Sequence, residues 1–467
     1  MKKNKFVTFL FFVACLTMTA QTKLADIFGN HMVLQRESDV AVWGTDKPNA
    51  IINIEGSWGQ KAKTTTDNNG HWQTKIKTTV AGGPYKLIVL GSKKVVLGDV
   101  LLGEVWLCSG QSNMEMPLRG FQGQPVNGNN DFILKSTNSQ LRFFAVKRQL
   151  ALTPQENLAG GDWEISPPAT APDCSAVAYF YGKMLQETLQ VPVGLITSSW
   201  GGTVAQAWTS PETLRKDFPE FNLTANTKEN LNQNTPTALY NGMIHPLIPF
   251  GIKGVIWYQG EGNRSKPEQY ARLFPALITN WRADFKQGDF PFYFVQIAPF
   301  VYSKNENASF LRETQLKTML TTKNTGMAVT MDIGEEYSIH PAEKQKVGER
   351  LGYWALAKTY EIKGIQYSGP IYKSMEVKES KALLSFEYAP SGLFSKDKKI
   401  EGFEIAGEDK VFYPASVKIV KGQLEVWNDI VLKPVAVRYG WLNYIQGSLF
   451  NTFGLPASSF RTDTWDK

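Results

Sequence analysis

Between about residues 101 and 365, short apolar runs alternate with longer amphipathic stretches, and this alternation constrains the fold more than any other feature of the chain. Runs of strand length lie at 105–109, 141–146, 193–198, 255–259, 292–297 and 327–331. Between them, Val177, Phe180, Tyr181, Met184, Leu185 and Leu189 recur at helical spacing, as do Tyr270, Leu273, Phe274, Leu277, Ile278 and Trp281. A last helix is expected from Pro341, a residue suited to a first turn, to about Tyr360. Strands that alternate with helices predict an α/β fold with a parallel sheet covered on both faces. Such sheets place their chemistry in the crevice at the carboxyl ends of the strands.

The two ends of the chain read differently. Residues 21–100 carry short strand-like runs, such as Val40-Ala41-Val42-Trp43 and Ile51-Ile52-Asn53-Ile54, separated by turn clusters such as Asp67-Asn68-Asn69-Gly70. Residues 366–467 return to that texture at 382–386, 400–405, 417–419 and 435–438. The expected organisation is therefore an N-terminal β domain (21–100), an α/β domain (101–365) and a C-terminal β region (366–467), sandwich-like at both ends. The two β segments are expected to pack on each other.

Residues 1–20 read as an export signal: Lys2, Lys3 and Lys5 precede the apolar run 6–14, and Ala20-Gln21 suits cleavage. The predicted location is periplasmic or extracellular. Lipid attachment at Cys15 is the less favoured reading, because Phe12 fits a lipoprotein site badly. No later stretch is apolar enough to span a bilayer. Without the signal, 47 basic side chains face 43 acidic ones, too mild and dispersed an excess to argue for nucleic acid. Cys108 and Cys174 then remain, and are expected to be buried thiols rather than a disulfide framework. Oligomeric state is not legible.

Ser112 follows the 105–109 run through Gly110, so its hydroxyl is expected at a strand-to-helix turn where free N–H groups can meet a developing oxyanion. Read alone, such a serine is more often a turn residue or helix cap. A serine nucleophile needs a base, and the chain has four histidines: His31, His71, His245 and His340. The first two lie in the N-terminal β segment; the last two each precede a proline near a strand end. Two polar turns also follow strands, Ser199-Trp200-Gly201-Gly202-Thr203 and Gln259-Gly260-Glu261-Gly262-Asn263. Together these supply a nucleophile, a base and N–H donors, which is what acyl transfer requires. No His or Cys spacing points to a metal, and no cofactor is expected. The stretch Gly110-Gln111-Ser112-Asn113-Met114 lacks the second glycine of an α/β-hydrolase elbow.

The block Gly103-Glu104-Val105-Trp106-Leu107-Cys108-Ser109-Gly110-Gln111-Ser112-Asn113-Met114-Glu115 resembles the nucleophile block of the sialate O-acetylesterase family, within the SGNH (GDSL-like) hydrolases. Ser198 to Thr203, Tyr240-Asn241-Gly242-Met243-Ile244, Trp257-Tyr258-Gln259-Gly260-Glu261, and Ile339-His340-Pro341 with Lys344-Gln345 resemble further blocks. So do Met32-Val33-Leu34-Gln35-Arg36, and Gly454-Leu455-Pro456-Ala457 with Phe460-Arg461-Thr462. The resemblance implies a three-layer α/β/α core with β-sandwich-like flanks. It implies Ser112 as nucleophile, His340 as base, and oxyanion donors from the Ser112 N–H, the Gly202 N–H and a side-chain amide. For that amide Gln259 is favoured, since it sits at the strand end, with Asn263 as the alternative. Many SGNH enzymes place an Asp three residues before the histidine; here that position is Tyr337. Glu261 is a weak candidate for the acid, Asp332, Glu335 and Glu336 lie further upstream, and a Ser-His dyad held by a backbone carbonyl stays open.

The resemblance implies removal of O-acetyl groups from sialic acid through an acetyl-enzyme. Arg119 and Arg264, beside the motifs, are candidates to hold the sugar carboxylate, although each alone reads better as a solvated surface arginine. Two alternatives stand beside it: deacetylation of xylan or another polysaccharide, and a non-catalytic carbohydrate-binding surface protein.

Overall fold

The structure is a computed structural model and describes residues 21–303, 306–395 and 399–465. The expected export signal, with Cys15, lies outside the described residues.

One long strand, Lys94–Gly110, organises the molecule. Its first residues are partly exposed, while Val100 to Gly110 are buried without interruption. The first part belongs to an antiparallel layer, paired with Gly82–Leu90, which pairs in turn with Ile51–Gly56 and Lys61–Thr65. The second part is a central strand of a parallel sheet, flanked by Val193–Ser199 and Gly254–Tyr258. Burial on both faces explains why this part reads as one apolar run. The strand runs through residues 100 and 101, where the side-chain texture changes, with Asp99 at φ of 53° and a shifted register opposite Gly82–Leu90.

Across the parallel sheet the order is Trp163–Ser166, Asn138–Ala145, Val193–Ser199, Lys94–Gly110, Gly254–Tyr258, Phe292–Val295 and Thr325–Ala328. Only the first, an edge strand, runs antiparallel to its neighbour. Every strand expected between 105 and 331 is present. The helices Ala176–Leu189 and Pro267–Phe285 lie where the apolar spacing predicts them. Trp106 meets Tyr181 edge-on at 5.2 Å, and Trp257 meets Trp281 edge-on at 5.7 Å, so large aromatics fill the strand–helix contacts.

Two helices differ from expectation. Ser309–Thr321 was not anticipated: its buried face carries Arg312, Thr314, Gln315 and Thr318, which erase the apolar period. The helix expected from Pro341 to Tyr360 starts at Lys344 and ends at Trp354, followed by a wider π-type turn at Ala355–Thr359. Its start is delayed because the Ala342 N–H donates to Glu335 Oε1 at 2.7 Å, outside the helical pattern.

The motif Met32 to Arg36 clamps the root of the long strand. Val33–Gln35 pairs with Leu101, Leu102 and Gly103. Gln35 Oε1 accepts from the Val105 N–H at 3.0 Å, and Arg36 pairs with the buried Glu104 at 2.6 Å. The C-terminal strands form two four-stranded antiparallel sheets around a separate apolar core that includes Leu384, Ile405, Leu424, Val426 and Val437. This segment is bonded to the far edge of the parallel sheet, where Gln296 donates to Ser458, the Gly447 N–H to the Met331 carbonyl, and Arg461 to Glu313. Arg312, fully buried, bridges Ser309, Ser459 and the Gly440 and Leu442 carbonyls. Cys108 and Cys174 are free and buried, and burial pushes both thiols well above their ordinary range. No helix among the described residues is long and apolar enough to cross a membrane.

Candidate active site

The long strand ends at Gly110, with φ of 140°; a Cβ there would lie 2.1 Å from the Tyr258 carbonyl oxygen, so the chain can pass only as glycine. Gln111 is extended and caps the short helix Ser112–Glu115. Its backbone N–H donates to the Tyr258 carbonyl at 2.9 Å, and its Oε1 accepts from the N–H groups of Gly260 at 3.3 Å and Gly262 at 3.2 Å. The Ser112 turn and the Gln259 to Asn263 turn are thus sewn together. Ser112 is the first helical residue, where an N–H has no intrahelical acceptor.

His340 Nε2 lies 2.8 Å from Ser112 Oγ. His340 Nδ1 lies 2.5 Å from Gln124 Oε1. Gln124 sits on a tight turn in which Phe121 and Gln124 exchange both backbone hydrogen bonds, between Gly120 and Gly123 at positive φ. The Phe121 ring meets the imidazole edge-on at 5.5 Å. A carbonyl-type acceptor at Nδ1 fixes the tautomer that presents the Nε2 lone pair to the serine hydroxyl. Burial, reinforced by the nearby Lys344 charge, lowers the His340 pKa to about 4. The imidazole is therefore a neutral base over the whole neutral range.

No carboxylate occupies the Nδ1 position. Glu261 instead accepts from Asn113 Nδ2 at 2.7 Å. Asp332 is held by Arg350 in a buried bidentate pair, and Glu335 accepts from the Ala342 N–H. Tyr337 is 85% exposed. Glu261, the weak candidate for the acid, is thus turned to Asn113 and not to His340, and a side-chain amide, not a carboxylate or a backbone carbonyl, meets His340 Nδ1. Nothing in the sequence near Gln124 signals this, since its partner lies 216 positions away.

Gly202 has φ of 72° and open space where a Cβ would sit, and its N–H has no acceptor among the described residues. The neighbouring Gly201 N–H is taken by Glu115 Oε2 at 2.6 Å. A Cβ at Gly201 would lie 3.3 Å from Ser112 Cβ, so this loop packs directly on Ser112. Both N–H groups of the Gln259 amide are spent, on the Thr203 carbonyl at 3.1 Å and Asn263 Oδ1 at 2.7 Å. Gln259 is therefore a scaffold for Asn263, not the free amide expected. Asn263 Nδ2 donates to Gln206 Oε1 at 3.0 Å and keeps its second N–H.

The two arginines singled out by sequence are both paired: Arg119 with Asp173 at 2.7 Å, and Arg264 with Glu306 at 2.8 Å and the Glu261 carbonyl. A third arginine, which sequence reading missed, borders the site. Arg148 pairs with Glu115 and lies 4.9 Å over the Trp200 ring. The Tyr240-Asn241 stretch supports this border from behind: Asn241 Nδ2 donates to the Ala151 carbonyl, and His245 Nδ1 is bonded to the Gln155 carbonyl.

Known proteins share this architecture. The model of the family described as "Carbohydrate esterase, sialic acid-specific acetylesterase" matches residues 102–357. The sialate O-acetylesterase of Homo sapiens is 31% identical, covering 94% of this chain and 92% of its own. That of Mus musculus is 30% identical, covering 94% of each. A carbohydrate acetylesterase from Xanthomonas citri, of known crystal structure, superposes with a TM-score of 0.88 at 37% identity, over 95% of this chain and 100% of its own. The chain is a carboxylic ester hydrolase and belongs to the sialic acid-specific acetylesterase family of carbohydrate esterases.

Proposed function

We propose that this carbohydrate acetylesterase works through an acetyl-Ser112 intermediate, with His340 as base, and that its substrate is an O-acetylated sialic acid. The supporting observation is the 2.8 Å contact between His340 Nε2 and Ser112 Oγ at a strand-to-helix turn. Ser112 Oγ attacks the acetyl carbonyl carbon while His340 Nε2 takes its proton. The oxyanion is met by the N–H groups of Ser112 and Gly202 and by the Asn263 amide. The intermediate collapses, and His340 returns the proton to the leaving sugar oxygen. Water, deprotonated by His340, then attacks the acetyl carbon; as the C–O bond to Ser112 breaks, His340 returns that proton to Ser112 Oγ and the acetic acid released ionises to acetate. Gln124 holds the imidazole through both halves. Because Gln124 is neutral, the imidazolium gains orientation from it but no counter-charge.

A second substrate reading, an acetylated neutral polysaccharide such as xylan, is favoured by one observation. Arg119, Arg148 and Arg264 each already have a carboxylate partner, which leaves none of these three cations for a sugar carboxylate. The three-layer core with sandwich-like flanks, and export directed by residues 1–20, complete the proposal. The test uses acetate release from 9-O-acetyl sialic acid, acetyl-xylan and an aryl acetate. Ser112→Ala is expected to lower all rates by roughly 10³-fold or more. Unchanged rates in that variant would refute the nucleophile, and a clear preference for xylan would replace the sialate reading.

A further inference from the structure

The mechanism leaves three buried polar groups beside the nucleophile without a role. Lys344, at the start of the Lys344–Trp354 helix, is 0% exposed. Its ammonium group donates to Asn113 Oδ1. Asn113 Nδ2 donates in turn to Glu261 Oε1 at 2.7 Å and to the Ile339 carbonyl at 3.1 Å. The other oxygen of Glu261 has no side-chain donor among the described residues, so apart from its own backbone N–H the Asn113 amide is what holds the carboxylate. Asn113 directly follows Ser112, and Ile339 directly precedes His340. One amide therefore ties together the backbone beside the nucleophile, the backbone beside the base, and the turn that carries Asn263.

Burying a cation and a carboxylate is costly, and is tolerated only where each is paired and hydrogen-bonded. Here the pair is separated by an amide that serves both, donating to one and accepting from the other. Removing either charge leaves the other buried and unpaired. We propose that Lys344 and Glu261, joined through Asn113, form a positioning bridge that holds Ser112 and His340 at proton-transfer distance. This rests on the assignment of Ser112 and His340 above.

The electrical surroundings are defined. Lys344 is faced by Glu261, Glu335 and the Tyr258 ring, whose centroid is 5.6 Å away. Glu261 is faced by Lys344, Arg264, Tyr258, Tyr270 and Tyr302. His340 is faced by Lys344, and by the neutral groups Gln124, Phe121 and Ser112. Burial lowers Lys344 to about 7 and raises Glu261. The Lys344 charge presses in the same direction as burial on His340, so its removal raises the pKa of the base.

The experiment compares Lys344→Met, Glu261→Gln and the double variant with wild type. It measures kcat and KM on an aryl acetate, and the pH dependence of Ser112 labelling by an organophosphonate. Each single variant is expected to lower kcat roughly tenfold or more with KM within about twofold, because the geometry of reaction is lost and not binding. The double variant is expected to lose clearly less than the product of the single losses, since neither charge is then stranded. In Lys344→Met the acid limb of labelling is expected to move upward by roughly one pH unit. Multiplicative losses with an unmoved limb, or single losses under twofold, would overturn the bridge. If Lys344→Met does not accumulate as folded protein, Asn113→Asp decides. It keeps the shape but turns both amide donations into repulsion or loss; a kcat within twofold of wild type overturns the proposal, and a loss of roughly tenfold or more supports it. Absence of Ser112 labelling in wild type defeats the nucleophile assignment itself. Normal wild-type labelling with multiplicative losses and an unmoved limb in Lys344→Met, or with single losses under twofold, defeats only the bridge.

Discussion

Replacing Gln124 by Glu tests how the base is held. The substitution is nearly isosteric, and it puts a carboxylate oxygen where Oε1 now sits 2.5 Å from His340 Nδ1. Wild-type His340 titrates at about 4, because burial and Lys344 both oppose its charge and Gln124 offers no counter-charge. An opposite charge at this range raises the pKa of a partner cation by about 1–3 units, which carries His340 to roughly 5–7. With a value near 6, about a tenth of the imidazole is neutral at pH 5, against about nine-tenths in wild type. The ratio of kcat/KM at pH 5 to its plateau then falls roughly ninefold, while the plateau itself equals or exceeds that of wild type because the imidazolium is now stabilised. The assay is acetate release from an aryl acetate across the acid and neutral range, with Gln124→Ala alongside. The alanine variant should lower the plateau roughly 10²-fold, since the ring is no longer oriented, but leave the acid limb near its wild-type position. If the limb of Gln124→Glu stays near pH 4 or moves down, Gln124 does not contact the base and the reasoning fails.

Other outcomes follow from the same geometry. Asn263→Ala removes the proposed oxyanion donor and should lower kcat by about 10²–10³-fold with KM little changed; equal losses in kcat and 1/KM would show that it serves ground-state binding instead. Stability should fall on acidification. The unfolded chain protonates His340 near its ordinary value of 6.5, the folded chain only near 4, so between those values the unfolded state binds more protons and stability rises with pH. Thermal melts from pH 7 to pH 4 should therefore show a declining midpoint, and His340→Gln should flatten part of that decline. A midpoint with the same pH slope in both proteins would contradict the depressed pKa.

What the sequence could tell follows the physics of each contact. Ser112 and His340 lie in stretches whose local punctuation exposes them: a glycine after an apolar run, and a proline after the histidine. The structure brings these two together. Gln124 lies in a loop with ordinary turn residues, and only the tertiary fold delivers it to His340. Gln259 and Asn263 were both visible, but the choice between them depends on the Thr203 carbonyl, which consumes one Gln259 N–H. Arg119 and Arg264 are near the motifs in sequence, yet their forks close on Asp173 and Glu306, residues that no local pattern connects to them. In the fold, apolar period located strands and most helices. It failed for Ser309–Thr321, where hydrogen bonding rather than apolar burial satisfies the inner face.

The strand Lys94–Gly110 ties the position of Ser112 to the N-terminal layer as well as to the parallel sheet. Its antiparallel half is held by Gly82–Leu90, its middle by Val33–Gln35, and its last turn delivers Ser112. Where the two halves meet, Asp99 takes φ of 53° and the pairing with Gly82–Leu90 shifts register. A graft that exchanged the N-terminal layer for another scaffold would have to keep this strand, its irregular joint and the strands that grip it.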